Sequence, residues 1–121
     1  TKHAIVLIAR NKAELEIAKL ACEQEGATHV KTISVDLTDA EALSSIDFEA
    51  LNPGIIVNNA GSFLFKNLQD SSTSEFESQF RINTLGAFNI SQTVLPSLRK
   101  QDRALIVNIC SQATATVELI P

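Results

Sequence analysis

The sequence predicts an α/β fold built on a parallel sheet. Two observations carry this expectation. Short strand-like runs recur at Ala4–Ala9, Val30–Val35, Ile55–Val57 and Ala104–Ile109, and between them stand helical patterns with their own start and stop residues. The order is strand, helix, strand, helix, strand, helix, strand. Such alternation implies parallel strands joined by right-handed crossovers.

Ala4–Ala9 is Ala-Ile-Val-Leu-Ile-Ala, apolar throughout and suited to a strand buried on both faces. Asn11 then reads as a helix N-cap, with Glu14 completing a capping-box-like pair. Ala13, Ile17, Leu20 and Ala21 follow on one helical face, and Gly26 stands where a glycine stop falls. The second strand ends in Asp36. Thr38 and Glu41 look like another capping pair, opening a short helix that fades near Ser45. Asn52, Pro53 and Gly54 form a turn before Ile55–Val57. Ser72, with Glu75 at the third position, opens a long helical pattern over roughly Thr73 to Leu98. Phe76, Phe80, Asn83, Ala87, Ile90 and Val94 share one of its faces, and Pro96 should distort or end its last turn. Leu85, Phe88 and Leu95 make a second apolar stripe. The last strand-like run leads into Cys110 and Ser111, and the tail to Pro121 is small, β-branched and apolar.

With 121 residues the chain holds one domain or part of one. Ten Lys and Arg stand against fourteen Asp and Glu, a formal net charge of −4, and the basic residues are scattered, so no nucleic-acid partner is expected. No apolar run approaches the roughly 18 residues of a membrane span, and no signal-peptide pattern opens the chain. Cys22 and Cys110 make no motif; they read as two buried thiols in a reducing, cytoplasmic compartment. His3 and His29 are isolated, so no metal site is expected. Asp47, Glu49 and the run 23–25 read as solvated surface. Met, Trp and Tyr are absent, so Phe carries all six aromatic positions and no tyrosine can act as acid or base. The four glycines, Gly26, Gly54, Gly61 and Gly86, are too scattered for a phosphate-binding loop.

Four features in one order give the chain a family resemblance: Asp36-Leu37 at the end of a strand, Asn58-Asn59-Ala60-Gly61 after another, Asn83 within Ile82-Asn83-Thr84-Leu85-Gly86, and Ser111 after Ile106-Val107-Asn108-Ile109-Cys110. Together they resemble the short-chain dehydrogenase/reductase family over essentially the whole chain. The resemblance implies a three-layer, Rossmann-like nucleotide-binding fold and an oxidoreductase that interconverts a carbonyl and an alcohol by hydride transfer from a nicotinamide cofactor. It places Asp36 and Leu37 at the adenine, with Asn58, Ala60 and Gly61 lining the cofactor at a strand end. It gives Asn83 and Ser111 catalytic roles: Ser111 as a preorganised donor to the substrate oxygen, Asn83 through a carbonyl and a water in a proton relay. It also implies a homodimer or homotetramer built on the long helix.

Each residue also has a plainer reading. Ser111 could simply terminate its strand, Asn83 could be a core asparagine bonded to a nearby carbonyl, and Asn58 could tether neighbouring strands. Arg10 bears on cofactor choice. Folds of this type that prefer NAD place an acid at the end of the fold's second strand, which the resemblance aligns with Ala4–Ala9, the first strand of this chain. Here that end reads Ala9-Arg10-Asn11-Lys12, so NADP(H) is favoured over NAD(H), because a guanidinium fork suits a phosphate. The alternative is a solvated basic residue at a helix start.

The departures from the family pattern matter equally. Its first strand and Gly-rich turn are missing, as are its catalytic Tyr and the Lys that follows. The chain is therefore expected to be an internal piece of a single domain, inactive as it stands, with Thr1 not a translation start. The family's strand order, 3-2-1-4-5-6-7, puts the missing strand between Ala4–Ala9 and Ile55–Val57. A slot about 10 Å wide, or another segment filling it, is expected there. Two further readings remain: a non-catalytic nucleotide-binding relative, and a free-standing folding or interaction module.

Overall fold

The computed structural model describes residues 3–111; the apolar tail lies outside them. Four strands form, β1 (Ala4–Ala9), β2 (His29–Ser34), β3 (Ile55–Asn58) and β4 (Leu105–Asn108). They associate as two separate parallel pairs. In β1–β2 the register runs from Ala4 opposite His29 to Ala9 opposite Ser34, and Val35 N–H extends the ladder to Ala9 O at 3.0 Å. In β3–β4 it runs from Ile55 opposite Leu105 to Asn58 opposite Asn108. Among the described residues no strand joins the pairs, as expected for a sheet interrupted between β1 and β3.

Helix α1 (Lys12–Gln24) starts as its sequence requires. The Asn11 side chain accepts from the Ala13 and Glu14 amides at 3.0 and 3.3 Å and donates to Glu14 Oε1 at 2.9 Å. Gly26, at φ +94°, takes the chain out of the helix in the left-handed region. The packed face, however, is not the expected one. Leu15 is buried and Ala18 and Cys22 half-buried, whereas Ile17 and Leu20 are 69% and 58% exposed. Both stripes have helical spacing; among the described residues α1 packs on β1 and β2, and it does so through the Leu15 side.

Helix α2 (Ala40–Ser44) is capped by Asp39, whose carboxylate accepts from Ala42 N–H at 2.9 Å, not by Thr38. Thr38 is already engaged by Asp36. A further short helix, α3 (Phe48–Leu51), is capped by Asp47, and Glu49 pairs with Lys100, so these two acids have structural partners. Asn52 closes α3 in the left-handed region at φ 47°.

The long helical stretch is interrupted. Helix α4 (Thr73–Phe80) opens with the Ser72–Glu75 capping box, a π-helical turn spans Arg81–Leu85, and α5 (Gly86–Leu98) follows. A π turn inserts an extra residue and shifts the helical face. This is why Phe76 and Phe80, 71% and 49% exposed, do not continue the buried face of Ile90 and Val94. Pro96 is accommodated within α5, which stops two residues later.

The core gathers Leu43, Phe48, Ile90, Val94 and Leu98, with Ile8 of β1 and Ile56 of β3 packed against it. One cluster, centred on α5, thus holds strands of both pairs. Burial of the strands on both faces does not hold for the described residues: Ile55 and Val57 are 62% and 56% exposed. Among the described residues, the elements that pack on β3 are β4 and α5. Cys110 is likewise exposed and Cys22 half-buried, contrary to the expectation of two buried thiols, because Cys110 stands beyond the end of β4. Phe88 of the second stripe is 58% exposed and Leu95 36%. Among the described residues no helix is long and apolar enough to cross a membrane.

Candidate functional site

The carboxyl ends of β1, β2 and β3 meet at a cleft of about 400 Å³, lined among others by Arg10, Asp36, Leu37, Ala60 and Gly61. These are five of the eight residues singled out from the sequence. Strand ends are where open α/β sheets bind ligands, because loops diverge there and leave backbone groups accessible.

Arg10 follows β1 directly. Its carbonyl accepts from Ser34 Oγ at 2.9 Å, which fixes its backbone to the end of β2. Its guanidinium lies 3.9 Å from Asp36 Oδ2, with the two side chains 65% and 43% exposed. A pair this long and this wet binds weakly, so the guanidinium remains available to a ligand. Asp36 is held more firmly on its other oxygen. Oδ1 accepts from the Thr38 N–H and the Thr38 hydroxyl, each at 2.8 Å. The Thr38 backbone bond holds the carboxyl below the ordinary aspartate range; partial burial opposes this, while the Thr38 hydroxyl and the charges of Arg10 and Arg81 add to it. The carboxylate is therefore an ionised acceptor. Leu37 next to it packs on the core, and its carbonyl accepts from Asn89 Nδ2 at 3.1 Å.

Asn83 sits in the π turn and adjoins the cleft through Gly61. Its Oδ1 accepts from Ser62 N–H at 2.7 Å and its Nδ2 donates to Ser62 O at 2.9 Å. The side-chain amide thus pairs with the Ser62 backbone as a neighbouring strand would. Asn83 itself is exposed rather than sunk in an apolar face. A Cβ at Gly61 would stand 3.2 Å from Asn83 Oδ1, so glycine permits this approach. Gln79 Oε1 accepts from Ser62 Oγ at 3.1 Å and steadies the same loop.

Asn58 does not line the cleft. Its Nδ2 donates to Asn108 Oδ1 at 2.8 Å and Ser91 Oγ at 3.0 Å, tying β3 to β4 and to α5. Ser111, exposed, lies three residues past Asn108 and outside the cleft lining. The contacts that Thr38, Gln79, Ser91 and Asn108 make here go beyond the sequence expectations. A Thr two residues after an acid is a local signal for an Asx-type turn; the others act across long separations and carry none. A second hollow, about 360 Å³ and walled by Phe63, Phe65 and Lys66, lies on the loop before α4 and holds none of the site residues.

Parallel strands, helical crossovers and a cleft at the strand ends define an α/β protein of Rossmann-like architecture. The chain belongs to the short chain dehydrogenase family, which it matches over residues 1–119. It is 31% identical over 103 residues to the uncharacterised oxidoreductase YusZ of Bacillus subtilis, covering 83% of this chain and 36% of that protein. It is 30% identical over 112 residues to a 3-dehydrosphinganine reductase of Arabidopsis thaliana, covering 90% and 34%. The chain spans about a third of the length of these curated relatives. Among solved structures, an alcohol dehydrogenase from the archaeon Thermococcus sibiricus, complexed with 5-hydroxy-NADP, superposes with a TM-score of 0.81 at 27% identity, covering 95% of this chain and 50% of that one.

Proposed function

We propose that this chain forms the adenine-nucleotide end and part of the catalytic centre of an NADP(H)-dependent oxidoreductase that interconverts a carbonyl and an alcohol. The observation that carries the cofactor choice is Arg10: a 65% exposed guanidinium at the end of β1, in the same cleft as Asp36 and Leu37. Its planar fork can bond two oxygens of a ribose 2′-phosphate. The ionised Asp36 accepts from the exocyclic amine of adenine, and the Leu37 amide donates to a ring nitrogen. Ala60 and Gly61 keep the cleft wall low, so a ligand can approach the backbone. The cleft and its donor set thus fit a 2′-phosphorylated dinucleotide, which when bound supplies the hydride.

The chain's own contributions to chemistry are the orientation of the loop after β3 and a hydroxyl beyond β4. Asn83 holds the Ser62 peptide, and with it the Ala60–Gly61 wall, at a set position. Ser111 hydrogen-bonds the substrate oxygen and stabilises charge that develops there. A reductase among the relatives and an alcohol dehydrogenase among the structures support the two directions of such an exchange. The uncovered Phe88 and Leu95 stripe supports a homodimer or homotetramer formed through α5.

The test is calorimetric binding of adenosine 2′,5′-bisphosphate and of AMP to the chain and to Arg10→Asp. The substitution is expected to weaken the bisphosphate by about 1–3 kcal/mol while leaving AMP nearly unchanged. Equal bisphosphate affinities for the two proteins would refute the role of Arg10.

A further inference from the structure

Helix α5 grips the end of β2 at two adjacent turns. Asn89 Nδ2 donates to the Leu37 carbonyl at 3.1 Å, in a partly buried setting and across 52 residues of sequence. Three residues earlier on the same helical face, Gly86 is buried, and a Cβ there would stand 3.3 Å from Leu37 Cβ. The Leu37 side chain packs into the core cluster that α5 supplies. Leu37 is thus held by its carbonyl, its side chain and a close helix backbone. The neighbouring Asp36 is pinned from the other side by the two Thr38 bonds, each 2.8 Å. The segment that forms this wall of the cleft is held by contacts outside the cleft, and its exposed groups remain open to a ligand.

We propose that Asn89 is a positioning residue for base recognition: its bond to the Leu37 carbonyl sets where the Leu37 amide and the Asp36 carboxylate meet an adenine base. This rests on the reading above that Asp36 and Leu37 hold adenine. The bond fixes the plane of the Leu37–Thr38 peptide. Without it, the Leu37–Thr38 peptide is held by the Thr38 N–H bond to Asp36 and by packing of the Leu37 side chain, and the amide and carboxylate keep their common register less tightly. A partly buried amide at this point of α5 is costly unless bonded, and a Leu, of the same branched shape, would pack on the core without that requirement. The side chain thus supplies a directional contact that packing alone does not need.

The test compares AMP with IMP, which carries a ring carbonyl where adenine carries the amine. Their affinities are measured by calorimetry for the chain, Asn89→Leu and Asn89→Asp. The ratio of the two affinities is independent of the fraction of protein folded, so a purely structural role for Asn89 does not move it. The unaltered chain is expected to prefer AMP by on the order of tenfold, the value of a hydrogen bond to a charged group. Asn89→Leu removes the donor, and Asn89→Asp sets a carboxylate against the carbonyl; both are expected to bring the ratio to within about twofold. If one variant does not fold, the other gives the measurement. A ratio retained in a folded variant overturns the role of Asn89 while leaving the cleft reading intact. An unaltered chain that binds neither nucleotide, or both equally, overturns the cleft reading and this proposal together.

Discussion

The β1–β2 and β3–β4 halves of the molecule use different chemistry at equivalent places. At the end of β1–β2 stand charges: Arg10 and Asp36, exposed and 3.9 Å apart. At the end of β3–β4 stand neutral amides and hydroxyls, bonded to one another at 2.7–3.1 Å: Asn58 with Asn108 and Ser91, Asn83 with Ser62, Ser62 with Gln79. Exposed charges are screened by salt and respond to pH. Neutral amides do neither; they fix geometry through directional bonds. The first half is suited to recognising a charged ligand and the second to holding a loop in one position. Between them a single core around α5 makes the two halves depend on each other.

That dependence is where the largest effect is expected. Leu43 is fully buried in the shared core, so Leu43→Ala should cost about 2–5 kcal/mol. Urea unfolding followed at amides of both strand pairs should show the loss in each. A loss confined to one pair would break the picture of a common core. The next effect belongs to the amide half. Asn58→Ala removes two bonds, for about 1–3 kcal/mol. Because no charge is involved, the cost should be the same in low and high salt; a cost that shrinks with salt would contradict the assignment.

Acid sharpens the contrast further. Thr38 holds the Asp36 carboxyl below its ordinary range. A group depressed in the folded state contributes stability above its unfolded pKa and loses it as pH falls through the folded one. The stability that the Thr38 bonds to Asp36 contribute should therefore begin to fall as pH drops through the ordinary aspartate range and be gone below the folded value, which stability measured against pH for Thr38→Val and the unaltered chain checks. Glu75, in the α4 capping box, is held down by the Ser72 N–H, then by Lys66, to about 2 from 4.5. Side-chain carboxyl titration by NMR should place its midpoint near that value, and a midpoint at 4.5 would contradict the capping box. The smallest effect is expected at the exposed Lys100–Glu49 pair. Lys100→Ala should change unfolding free energy by about 0–1 kcal/mol, and less in high salt.

Much of the fold was legible because it is local. Asn11 with Glu14, Gly26, and Ser72 with Glu75 each act within one turn of chain, so residue type and spacing suffice to place them. The strand runs were legible from composition, and four short motifs pointed to the family and to the residues of the cleft. The cap of α2 is local too, yet the sequence offers two candidates: Thr38 and Asp39 both qualify, and Asp39 serves because the Asp36 carboxylate engages Thr38.

What the sequence determined by itself, then, is the order of elements and most of their ends, since each depends on groups a few residues apart. Only the tertiary structure decided which stripe of α1 meets the sheet, because Ala13–Ile17–Leu20 and Leu15–Ala18–Cys22 have equally good helical spacing and the neighbouring strands choose between them. It alone decided the partners of the amides: Asn83 with Ser62 across 21 residues, Asn58 with Asn108 across 50, Asn89 with Leu37 across 52. A side-chain amide bonds whatever carbonyl, amide or hydroxyl the fold brings within about 3 Å, and nothing in the residues beside it says which that will be.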